Sequence, residues 1–223
     1  MTKFANPANL ENEIRTIAKD MTPSTERFVL GILQDAEAAL ERFQAQANAL
    51  QKDERLRADY KAARLLELKA ELRNRIEELK NSFQARLQAM QTLPSSLTPE
   101  PINDVQVLAA RQDAESFLGV TPVADLPITL TRLAGEALEL GLLPLADLLT
   151  SNWARLYLKH RGVPEHLVNS HLNMPEHVNL RERVIAARLP QEKRSALEGY
   201  FKDVKLLAEV AVYLPYYFRE KQQ

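Results

Sequence analysis

The feature that most limits what this chain can become is an apolar seam in residues 61–90. Leu65, Leu68, Leu72, Ile76, Leu79, Phe83, Leu87 and Met90 recur in steps of 3, 4, 4, 3, 4, 4 and 3, an eleven-residue repeat. A period near 3.67 residues per turn holds such a seam on one side of a nearly straight helix. Lys69, Glu71, Arg73, Arg75, Glu77, Glu78 and Lys80 lie between the seam positions and predict a solvated face of mixed charge. Each large apolar side chain left in water forfeits about 1.5 to 3 kcal/mol relative to burial. The seam therefore requires a cover, and a second copy of the chain is the simplest one.

A second stripe precedes it. After the start signal Thr22-Pro23-Ser24-Thr25-Glu26, Val29, Leu33, Ala36, Leu40, Phe43, Ala47 and Leu50 follow in heptad register. The register fails at Gln51-Lys52-Asp53-Glu54-Arg55-Leu56-Arg57, where seam positions carry charge. With no Gly or Pro there, the preferred reading is one helix over residues 23–91 with a local phase shift. The alternative is a tight turn, with Asp53 or Asp59 capping a second helix that folds back as a hairpin. Ahead of both, Asn6-Pro7 caps a short amphipathic helix with Leu10, Ile14, Ile17 and Met21 on one face.

Three prolines fall in residues 93–101, and the stretch predicts a linker over residues 93–102. Beyond it the helices shorten. Asn103-Asp104 caps a helix carrying Val107, Leu108, Ala114, Phe117 and Leu118, with Gly119 as a left-handed stop; a second helix stops at Gly141. A third starts at Pro144 and runs through Trp153 and Tyr157 to Gly162. Pro164, Pro175 and Pro190 open further helices, and Pro215 ends the last before the tail Tyr216-Tyr217-Phe218. With only 6 Gly in 223 residues and no strand-like alternation, the fold class is all-α. The layout is a long coiled-coil-like arm or helical hairpin in residues 1–92, the linker, and a compact multi-helix domain in residues 103–223.

The chemistry-bearing residues are few. A net charge of -1 supplies no global field toward nucleic acid or an anionic membrane, although residues 87–155 carry three basic and eight acidic side chains. Without Cys there is no disulfide or thiolate chemistry. The stretch after Met1 lacks the apolar core of a secretory leader, and no apolar run is long enough to cross a bilayer, so a cytoplasmic protein is the expectation. His160, His166, His171 and His177 fall close together, two of them in Pro-Glu-His tripeptides, but no pair has the spacing of a zinc-binding helix. No metal or cofactor is expected. No phosphate loop, nucleophile motif or paired acids point to an enzyme.

Residues 158–172, a helix, a glycine turn and a second short helix, resemble a DNA-binding helix-turn-helix. They depart from that pattern at Leu158, where a small residue is usual. The resemblance implies phosphate contacts from Lys159 and Arg161 and base contacts from His166, Asn169 and Ser170. The first expectation is nonetheless a non-enzymatic structural, assembly or interaction protein that pairs with itself, or with another helical protein, through the seam. Scaffold-like and virion-associated proteins share this layout. A DNA-binding regulator with a dimerising arm is the alternative.

Overall fold

The structure is a computed structural model that describes residues 7–90 and 92–221. The Asn6 cap, the stretch read for a leader and the helix end expected at Gln91 lie outside those residues. Among the described residues there are ten α-helices, one short 3₁₀ turn and no strand, so the chain is all-α. No helix is long and apolar enough to cross a membrane. The helices gather into two compact units. The first runs to Leu93 and takes in the chain from Glu198 onward, and the second is Pro94–Leu197. The C-terminal stretch thus joins the N-terminal helices rather than the domain that precedes it.

The first unit contains α1 (Pro7–Lys19), α2 (Pro23–Lys52), α3 (Ala58–Ala89) and the greater part of α10 (Gln191–Lys221). The single helix preferred for residues 23–91 does not form. α2 stops at Lys52, Asp53 Oδ1 accepts the Arg55 N–H at 3.0 Å, and Lys61 Nζ donates to the Gln51 carbonyl at 3.0 Å. This turn needs no glycine, because Asp53 holds its backbone and Lys61 satisfies a carbonyl at the end of α2. Folding back lets the seam meet the α2 stripe: Leu72, Ile76, Leu79 and Phe83 share one core with Val29, Ile32, Leu33 and Ala36, and Phe28 stacks on Phe83 at 6.2 Å. The polar face of α3 carries Arg64–Glu67, Arg75–Glu78 and Lys80–Glu77 pairs one turn apart.

α1 buries Leu10, Ile14 and Ile17, and α10 adds Leu207, Val210, Leu214, Tyr217 and Phe218 to this core. Pro215 does not end α10. A helix-interior proline costs about 3 kcal/mol, and burial of Phe218 just beyond it offsets most of that at about 2 to 3 kcal/mol, whereas Tyr217 buries its ring together with a hydroxyl that has no partner among the described residues.

The second unit holds α4 (Asp104–Gly119), α5 (Leu126–Glu139), α6 (Leu143–Thr150), α7 (Asn152–His160), α8 (Glu165–Leu172) and α9 (Pro175–Arg188). Gly141 and Gly162 adopt φ of +73° and +86°, and each closes a paired carbonyl motif: Leu142 N–H to Ala137 and Gly141 N–H to Leu138, then Val163 N–H to Leu158 and Gly162 N–H to Lys159. Gly119 takes no such conformation, because Val120 ends α4 with right-handed angles. The helix expected from Pro144 to Gly162 is two. Ser151 Oγ accepts the Trp153 N–H at 3.1 Å, so its side chain starts α7 where α6 has ended. Leu118, Leu126, Leu130, Leu149, Leu158 and Val168 are fully buried at the centre of this unit.

Candidate functional site

The seam assigned to a partner is covered from within. Leu68, Leu72, Ile76, Leu79, Phe83 and Met90 are all buried in the first unit, while Leu65 and Leu87 are half-buried. A second copy is not needed to remove the seam from water, and the energetic reason for placing the interface there is gone.

Three of the residues of the helix-turn-helix resemblance are committed to neighbours within their own unit. Lys159 is bound to Glu165. Arg161 donates to the carbonyls of Leu118 at 2.8 Å and Thr121 at 3.3 Å and to the Tyr157 hydroxyl at 2.7 Å. It therefore caps the end of α4 instead of facing outward. Asn169 accepts from Arg155 at 2.9 Å. His166 and Ser170 are exposed, with no unpaired cation among the five. Trp153 and Tyr157 stack at 4.8 Å as part of the packing around the second core.

The histidines divide into two pairs. His160 and His166 are exposed, whereas Thr131 Oγ1 lies 2.8 Å from His171 Nε2 and 3.0 Å from His177 Nδ1. Burial holds the His177 pKa down at about 4, helped by the charges of His171 and Arg181, and burial lowers that of His171 as well. Both rings are neutral at pH 7. Among the described residues, no group of three or more potential ligands could hold a metal ion.

The surface that stands out is the apolar hollow beside the end of α4, at Phe117. Ala110, Ala114 and Leu118 turn into the core, and the helix carries further apolar side chains outward: Val105 is 78 %, Leu108 56 % and Phe117 59 % exposed. Leu108 and Phe117 are therefore not core residues. Two adjoining hollows open beside this helix. One, of about 320 Å³, is lined by Phe117, Thr121, Leu133, Ala137, Leu140 and Leu142, with Arg132 and Glu136 at its edge. The other, of about 160 Å³, is lined by Gln106, Ala109, Ala110, Asp113 and Pro144, and both share Leu142 and Leu145. Together they form a groove between α4, α5 and the start of α6. Gln106, Ala109, Asp113 and Phe117 follow one another at helical spacing and so line one face of α4.

The stretch of chain that builds the groove is acidic. Residues 94–147 contain eight acidic side chains against Arg111 and Arg132, and Arg132 is already paired with Glu136 at 2.8 Å. The signal for this site was present in the sequence as a surplus: α4 has more apolar residues than one face can bury, in the most acidic part of the chain. Compared with protein-family models, curated proteins and solved structures, the chain matches none.

Proposed function

We propose that this chain is a non-enzymatic interaction protein whose second unit takes an amphipathic, positively charged helix of a partner protein into the groove of α4, α5 and α6. One observation carries the reading: exposed Phe117, Leu140 and Leu142 surround an apolar hollow in an acidic stretch of the chain. Apolar surface of this kind, rimmed by polar groups, is what a docking site requires. From Gln106 to Phe117 the α4 wall spans about 16 Å at 1.5 Å per residue, the length of three helical turns. Ala109 lets a visiting backbone approach closely, and Phe117, Leu133 and Leu140 offer apolar walls for its side chains. The acidic excess selects a cationic helix over an anionic one.

The test is fluorescence anisotropy with two labelled peptides of equal helicity, one built from Leu and Lys and one from Leu and Glu. The Leu-Lys peptide is expected to bind and the Leu-Glu peptide not to. Phe117→Asp, an exposed change that leaves the core intact, should weaken binding at least tenfold, as loss of an aromatic anchor does. Failure of the Leu-Lys peptide to bind, or equal binding to Phe117→Asp, refutes the reading. Light scattering on the same samples identifies self-docking: a doubled mass that Phe117→Asp returns to a monomer makes a second copy the occupant.

A further inference from the structure

A second hollow, of about 390 Å³, lies in the same unit among the end of α6, the start of α7, the end of α8 and α9. Its chemistry is opposite to that of the docking groove. The floor includes buried Thr150 and His177, and the rim carries Ser151, Asn152, Asn173, Arg155 and Arg181. Two guanidinium groups and no carboxylate line it.

Their commitments elsewhere are slight. Arg155 gives one N–H to Asn169 at 2.9 Å and lies within the field of Glu165, with its remaining N–H donors in no hydrogen bond among the described residues. Arg181 is exposed at the mouth. The His177 ring is held through Nδ1 by Thr131 at 3.0 Å, so Nε2 is its remaining hydrogen-bonding atom. Thr150 and Ser151 donate their hydroxyl protons to the carbonyls of Ala146 and Leu148, at 2.9 and 2.7 Å, and keep acceptor capacity. The cleft thus combines a doubly cationic edge with hydroxyl, amide and imidazole groups.

We propose that this cleft binds a small hydroxylated molecule bearing a phosphoryl or carboxylate group, with the anionic group held between Arg155 and Arg181. Guanidinium groups match both anions with paired N–H donors. The volume exceeds what an inorganic phosphate ion fills and falls at the small end of ligand cavities. Asn152 and Asn173 suit hydroxyl groups on the body of the ligand. Apart from the His177 imidazole no aromatic ring lines the cleft, so nothing there favours a nucleobase. The site stands apart from the docking groove and does not depend on it.

The experiment uses the full chain and follows the His177 ring signals and backbone amides by NMR during titration with inorganic phosphate, citrate, ribose 5-phosphate and neutral ribose. Ribose 5-phosphate, together with phosphate or citrate, is expected to shift His177 and its neighbours, and ribose is not. An anion bound beside the imidazole should also raise the His177 pKa from about 4. Arg181→Ala, an exposed change, should weaken ribose 5-phosphate about tenfold, Arg181→Lys should restore part of the loss, and Arg111→Ala on α4 should change nothing. The proposal is overturned if no anion moves the His177 signals, or if Arg111→Ala weakens binding as much as Arg181→Ala. It is also overturned if only a duplex oligonucleotide, added in a separate arm, produces the shifts.

Discussion

Asp203 of α10 is 3 % exposed and sits against the first turn of α2. It accepts the Thr22 N–H at 2.7 Å, the Thr22 hydroxyl at 2.5 Å and the Thr25 hydroxyl at 2.6 Å, and Thr25 is itself 1 % exposed. Thr22 makes no cap bond of its own, so α2 is capped by a carboxylate from the opposite end of the sequence. The approach is close: a Cβ at Gly199 would meet Thr22 Cγ2 at 3.3 Å. Asp203→Ala strands the buried Thr25 hydroxyl and the Thr22 N–H at about 1 to 3 kcal/mol each. It also removes a charge from the positive end of the helix, worth about 0.5 to 2 kcal/mol in a buried setting. The expected loss is about 4 kcal/mol in urea unfolding followed by circular dichroism, with faster amide exchange in the first turn of α2. Asp203→Asn keeps the shape but faces an amide toward donors, and should cost about 2 kcal/mol. A double-mutant cycle with Thr25→Val should show a coupling of about 1 to 2 kcal/mol. A loss below about 1 kcal/mol for Asp203→Ala, or additivity in the cycle, would refute the reasoning.

Four further outcomes follow from the same structure. Ile76→Ala should cost about 2 to 5 kcal/mol with an unfolding midpoint independent of protein concentration; a concentration-dependent midpoint would return the seam to an intermolecular role. Arg161→Ala uncaps α4 and strands the Tyr157 hydroxyl, so it should destabilise by about 1 to 3 kcal/mol while leaving affinity for duplex DNA at low salt unchanged. Gly162→Ala meets no atom within 4 Å but must hold φ of +86°, so a drop of about 1 kcal/mol in thermal unfolding measures backbone strain alone. His177, faced by Thr131, His171 and Arg181, has a folded pKa of about 4 against 6.5, so the unfolded chain binds the extra proton between those values. Its contribution is full above about pH 6.5, is lost as pH falls to about 4, and is constant below, about 3 kcal/mol in all; urea midpoints of His177→Gln that track the parent across that window would exclude it.

What was legible in the sequence was periodic and local. The seam, the α2 stripe, the α1 face and the turns at Gly141 and Gly162 each follow from residues within one or two helical turns, and the structure has them in place. The hairpin turn was not legible, because the Asp53 and Lys61 side chains that close it are charged and read equally well as the solvated face of a continuing helix. Pro215 misleads for a related reason. Its local penalty is real, but Tyr217 and Phe218 have their partners in α1 and α2, about two hundred residues earlier in the chain. The Asp203 cap spans 181 residues to Thr22 and has no sequence signature at all.

The candidate site shows the same divide from the other side. A periodic seam establishes that apolar surface must be covered, and it is silent about whether the cover lies in the same chain. For α3 the cover proves internal, since five turn residues cost little against a core that includes Leu72, Ile76, Leu79 and Phe83. For α4 the same reasoning runs the opposite way. Its Ala110, Ala114 and Leu118 meet the core, while Phe117 stays 59 % exposed at the hollow it shares with Leu133 and Leu140. Apolar side chains that folding does not require, beside a hollow and in an acidic stretch, are the residues whose removal should leave stability unchanged and alter binding. Phe117→Asp separates the two: retained helicity with lost peptide affinity marks a recognition surface, and lost helicity would place Phe117 back among the residues that hold the fold.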